Sequence, residues 1–124
     1  MLCVGLVTAL PVAAHHAFSA EYDRKKLIEV TGKVIRLDWA NPHAHFFLEV
    51  QGPDGQAVTW DMELASPNVL RRNGWKRDSL KVGDQVTVKG FGAKDGSNTG
   101  NADNIIFPDG HRLTFLNNPE DQQR

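Results

Sequence analysis

The sequence predicts an all-β fold: a small OB-like barrel of five to six strands with one short helix between strands 3 and 4. Three observations carry that expectation. Apolar and polar residues alternate in short runs, separated by turns rich in Gly, Pro and Asp. The first run is long and switches phase midway, as a bent strand shared around a small closed sheet must. The stretch with helix signals at both ends falls after the third run, which is OB order. A small antiparallel sandwich is the competing arrangement. At 124 residues the chain holds one domain with a modest core.

The opening segment, MLCVGLVTALPVAA, is uncharged and mostly apolar. It falls short of the roughly 20 apolar residues that span a bilayer. Val12, Ala13 and Ala14 supply the small residues of a signal-peptidase site, although the segment lacks the usual leading Lys or Arg. Residues 1–14 are therefore expected to be a signal peptide cleaved after Ala14, and the protein periplasmic, with no membrane span once processed. The single cysteine, Cys3, lies inside that segment. The remaining chain then has no disulfide, thiolate ligand or Cys nucleophile, and the core alone must hold it in an oxidising compartment. Fourteen basic and 15 acidic residues give a formal charge of −1, which argues against nucleic acid as a partner.

From residue 15 an arm with two aromatic anchors, Phe18 and Tyr22, leads into Arg24-Lys25-Lys26, read as a solvated turn. Residues 27–39 form the first strand. Ile28, Val30 and Val34 share one parity and Ile35, Leu37 and Trp39 the other, with the slip expected near Gly32. Residues 44–51 and 57–64 flank the turn Gly52-Pro53-Asp54-Gly55 as a hairpin. Matching parities put Val50 opposite Val58, Phe47 opposite Asp61 and His45 opposite Glu63, with Val58, Trp60, Met62 and Leu64 inward. Ser66 is a good N-cap, Pro67 suits the first helical position and Gly74 suits the residue past the end. Trp75 is expected to fold back onto the barrel end. Lys81-Val82-Gly83-Asp84 turns into a fourth strand at 85–92, followed by a fifth at 101–107 and a short last one at 112–115. One domain with its N-terminal arm thus covers 15–115, and 116–124 is expected to be a disordered tail.

Several motifs together resemble a known family. They are HHAFSAEYD at the mature start, Thr31-Gly32-Lys33-Val34, Trp39-Ala40-Asn41-Pro42-His43, Ser66-Pro67-Asn68, Gly74-Trp75, DSLKVGD at 78–84 and AKDGS at 93–97. In combination they are similar to a family of small exported bacterial proteins of unknown function, over residues 15 to 115. The resemblance implies a periplasmic single-domain protein and no particular activity.

Chemistry centres on histidine. Cleavage after Ala14 would leave His15 with a free α-amine, able to chelate a metal with His15 Nδ1 while His16 adds an imidazole. Amine and imidazole ligands suit Cu(II) first and zinc second. His43 and His45 share a face of an extended segment, roughly 7 Å apart by strand rise, so both can reach one metal. Glu63, opposite His45, can ligate or orient it. The plainer alternatives are a solvated N-terminus, a loop-bonded His43 and a solvent-facing His45. His111 is read as a turn residue, and the Asp95-Gly96-Ser97-Asn98 loop lacks the alternating acids of a calcium loop.

No nucleophile elbow, zinc-protease helix, phosphate loop or cysteine nucleophile is present. The expectation is therefore a non-enzymatic periplasmic binding module that holds copper or zinc through His15, His16, His43 and His45, for sequestration or transfer. The alternative is a metal-free module that binds a protein, glycan or small anionic ligand through Trp39, Phe47, Glu63, Arg71 and Arg72. Arg71, Arg72, Lys76 and Arg77 make a small basic patch that could meet an anionic partner, for which an exposed helix end that complements the helix dipole is the blander account.

Overall fold

The computed structural model describes residues 20–114. In chain order the elements are β1 (Tyr22–Asp38), β2 (His45–Gln51), β3 (Ala57–Glu63), α1 (Pro67–Arg72), β4 (Gln85–Ala93), β5 (Thr99–Ile106) and β6 (Arg112–Thr114). The sheet order is β3-β2-β1-β4-β5-β6, and β3 also pairs with β5. That parallel contact, Asp61 to Thr99 through Glu63 to Asn101, closes five strands into a ring. The other pairings are antiparallel. The first half of β5 seals the ring against β3, and its second half carries β6. The result is a mostly antiparallel sheet in OB order, with one short helix after the third strand.

Strand β1 makes the ring possible because it pairs with β4 along its first part and with β2 along its last. It is longer than its hydrophobic pattern announces. Arg24-Lys25-Lys26, read as a solvated turn, lies within β1 as a bulge against β4, where the register shifts between Asp23 and Leu27. The bulge is held locally: Lys25 N–H donates to Asp23 Oδ1 at 2.9 Å, and Lys26 Nζ to the Ala93 carbonyl at 3.2 Å. The phase slip also sits elsewhere than expected. It falls between Val34 and Arg36, so Ile35 is the extra residue, 37% exposed. Gly32 instead allows a close strand approach. A Cβ there would stand 2.5 Å from the Glu49 carbonyl oxygen, so only glycine lets β2 come so near.

The β2–β3 hairpin has the expected register, with Val50 opposite Val58, Phe47 opposite Asp61 and His45 opposite Glu63. Gly55 takes a φ of +80° in its turn. Of the residues read as inward, Met62 and Leu64 are fully buried and Trp60 half-buried, whereas Val58 is exposed. Val58 stands at the hairpin tip, beyond the reach of the core.

Helix α1 starts where its cap dictates: Ser66 is extended, and its Oγ accepts from Val69 N–H at 3.3 Å. It ends at Arg72 with Asn73 as its cap, and Gly74 follows with a φ of +88° that suits glycine. Leu70 from α1, Trp75 and Leu80 join Phe46, Leu48, Val86 and Ile105 in the core. Each such aliphatic side chain stabilises the fold by about 1.5–3 kcal/mol relative to exposure. The turn at 81–84 is tied to mid-β1 by Gly83 N–H to Val34 O at 2.7 Å and Val34 N–H to Asp84 O at 2.9 Å.

Candidate functional site

The start of β2 and the end of β3 bring the chemistry together. The Asn41–Pro42 peptide is cis, and His43 follows it. Ala44 N–H then donates to Ala65 O at 3.1 Å, and Leu64 N–H to Ala44 O at 2.8 Å. These two bonds extend the hairpin ladder past both strand ends and set His43 beside Glu63. His45, two residues on, lies directly across from Glu63 and diagonal to Asp61.

The side chains form two carboxylate–imidazole pairs. His43 Nδ1 lies 2.5 Å from Glu63 Oε1, and His45 Nδ1 lies 2.7 Å from Asp61 Oδ1. An ionised carboxylate can only accept, so in each pair Nδ1 carries the proton and donates. Glu63 also accepts from Tyr22 Oη, at 2.5 Å to its other oxygen. Tyr22 is brought there by the first residues of β1, where it pairs with Ala93. Tyr22 and Glu63 are buried, while the His43 and His45 side chains stay 47% and 33% exposed.

Ionisation follows from these contacts. The hydrogen bond to Glu63 raises the His43 pKa above its ordinary value, against a smaller opposing effect of burial. The Asp61 hydrogen bond does the same for His45. Burial works against the Glu63 anion, yet the hydrogen bonds from His43 and Tyr22 hold its pKa below the usual carboxylate range. Burial and the Glu63 contact push the Tyr22 phenol upward, so it stays a donor. Beside Glu63, across the β3–β5 seam, Asn101 is 3% exposed and its side-chain oxygen has no hydrogen-bond partner. A cleft of about 420 Å³ opens over this cluster, lined by Tyr22, His45, Asp61, Glu63, Lys94 and Asp95 among others.

The predicted residues separate into three places. His43, His45 and Glu63 meet as described, with one correction: Glu63 holds His43, and it is Asp61 that orients His45. Trp39 and Arg71 line a different cleft, beside α1. Phe47 lies in neither, with the Arg36 guanidinium 5.1 Å above its ring. Arg72 turns back along its helix, Nε to Asn68 O at 3.4 Å. His111 is a turn residue: Nδ1 contacts Asp109 at 2.5 Å and its ring stacks on Phe107 at 4.0 Å. In the loop at 95–98, Asp95 accepts from the Ser97 hydroxyl and N–H. His15, His16, the expected signal peptide and the expected tail fall outside the described residues. Among the described residues, no three His, Cys, Asp or Glu side chains are grouped so as to hold a metal ion, and no helix is long and apolar enough to cross a membrane.

Two members of the cluster, Tyr22 and Asp61, are not among the predicted site residues. Tyr22 was legible only as an aromatic anchor, since nothing local points it at a residue 41 positions away. Asp61 was within reach, because the register that pairs His45 with Glu63 also sets Asp61 on the adjacent diagonal.

No curated protein matches the sequence. A family model described as "Family of unknown function (DUF6152)" matches residues 4–102, well over half of the chain. The chain thus belongs to this family of unknown function.

Proposed function

We propose that the protein is a small periplasmic binding module that takes up a transition-metal ion, copper first and zinc second, and holds or hands it over without turnover. One observation carries the reading: each of two neighbouring, partly exposed imidazoles has its Nδ1 on a carboxylate, which leaves Nε2 as its lone-pair nitrogen. Carboxylates bound in this way fix the tautomer and ring orientation of metal-ligating histidines and raise their basicity. Two imidazoles do not complete a copper or zinc site, and His15 and His16 of the processed N-terminus are the remaining ligands in this reading. The location rests on the apolar opening segment and its small-residue cleavage signal.

The proposal is tested by titrating the exported, processed protein with Cu(II) and Zn(II), after mass spectrometry has fixed the mature start. The expected result is saturable one-to-one uptake, weakened at least tenfold by His43→Ala and by His45→Ala. Equal binding by both variants, or weak unsaturable uptake by the parent, overturns the proposal. A mature start other than His15 removes the amine ligand from it.

A further inference from the structure

A second cleft, of about 510 Å³, opens beside α1 and shares no lining residue with the one that His45 and Glu63 line. Its apolar wall is made by Trp39 and Trp75, whose rings meet edge-to-face at 6.4 Å and 72°. Trp39 is half-buried and packs against the core, and Trp75 is part of the core itself. Arg71, Lys76 and Arg77 line the rest with Asn41, and no carboxylate does so among the described residues. None of the three cations makes an ion pair among the described residues.

That concentration stands out in a chain whose acidic and basic residues nearly cancel. The backbone that presents it is held: Lys76 N–H donates to Ser79 Oγ at 2.8 Å, Ser79 N–H to Lys76 O at 3.0 Å, and Trp75 N–H to Leu70 O at 3.0 Å. An exposed basic helix end needs no aromatic wall, and a core-packed aromatic pair needs no cations around it. Their coincidence in one concavity of small-ligand size is what the dipole account of Arg71 leaves unexplained.

We infer that this cleft binds a small aromatic carboxylate. The guanidinium fork matches the planar carboxylate and can bond it through two parallel N–H groups. The flat apolar body of the ligand would lie against the indoles, where aromatic contact adds to area burial. Lys76 and Arg77 raise the local concentration of the anion. This inference is independent of metal binding at the histidines.

The experiment follows the three indole N–H resonances of the full processed protein by NMR during titration with 2-naphthoate, then with its neutral amide and with inorganic phosphate. The expected result is a saturable shift at Trp39 and Trp75 with Trp60 unmoved. The amide should bind at least tenfold more weakly, and Arg71→Gln, whose exposed side chain leaves the core intact, should weaken naphthoate about tenfold. No saturable shift, equal binding of the amide, or unchanged affinity in both Arg71→Gln and Arg77→Gln overturns the proposal. Displacement of naphthoate by an equal concentration of phosphate also overturns it, since the site would then read charge alone.

Discussion

Tyr22 and Glu63 are joined by a 2.5 Å hydrogen bond across 41 positions of sequence, and both side chains are buried. The bond connects the first residue of β1 to the last residue of β3 and so pins the N-terminal end of the long strand to the hairpin. Tyr22→Phe keeps the ring and removes the donor from a buried carboxylate. Leaving such a group short of a partner costs about 1–3 kcal/mol. Urea denaturation of the variant should show a stability loss of that size, seen as a lower midpoint with an unchanged slope.

The same carboxylate makes stability depend on pH from both sides. His43 titrates above its ordinary 6.5 because of its Glu63 hydrogen bond, so the pair stabilises the fold below that value and loses its contribution as pH rises through the raised one. Glu63 titrates below its ordinary 4.5, so its contribution is present above that value and fades as pH falls through the lowered one. Glu63→Gln should flatten the acid limb of a denaturation-midpoint profile and part of the alkaline limb. His45 contributes a further part of the alkaline limb near neutrality, and Asp61→Asn in the same background should reduce it. A profile unchanged by Glu63→Gln would show that the pair contributes nothing to folding.

Much of the ring was legible in the chain itself. Period-2 alternation marked the strands, and the parity of 44–51 against 57–64 set the hairpin register residue for residue. What escaped has a common cause. The Arg24-Lys25-Lys26 bulge is polar and sits in a strand because of its pairing with β4, which no local pattern encodes. The phase slip lands at Ile35 because the register against β2 sets it, while Gly32 serves a close strand approach. At the site, both histidines and the cross-strand position of Glu63 could be read from residue order. Local pattern could not say that His43, reaching from the loop, would take Glu63 and leave His45 to Asp61.

Strand closure also predicts an intolerant glycine. A Cβ at Gly90 would stand 2.0 Å from the Asn101 carbonyl oxygen and 3.0 Å from Ala102 Cα, backbone atoms that cannot step aside. This is where β4 and β5 shift register on the way to closing the ring. Gly90→Ala should cost about 3 kcal/mol or more, or prevent folding. At Gly110 nothing lies within 4 Å of an added Cβ, and only the φ of +90° is strained, so Gly110→Ala should cost about 1–2 kcal/mol. Thermal melts of the two variants, side by side, test the ranking.

The N-cap of α1 offers a smaller, cleaner perturbation. Ser66 Oγ accepts from Val69 N–H at 3.3 Å, a long bond on a six-residue helix. Ser66→Ala should therefore fall at the low end of the usual cap cost, about 0.5–1 kcal/mol. Because α1 carries Leu70 into the core, the loss should register in global stability, read from the same thermal melts.

Asp61→Asn distinguishes a metal-orienting carboxylate from a plain ion pair. Asparagine can still accept from His45 Nδ1–H, so the imidazole keeps its place, but the negative charge that raises its basicity is gone. At about pH 8, where protons compete less than near neutrality, the proposed metal site should lose about 10–100-fold in Cu(II) affinity. The gap should narrow as pH falls. Asp61 is also the chief reason His45 binds a proton more tightly than usual, so the variant surrenders less of its affinity to protonation. Competition titrations at two pH values measure both effects. Equal affinity of parent and variant at the alkaline value would reduce the His45–Asp61 pair to an ion pair of the folded ring, with no part in holding a metal.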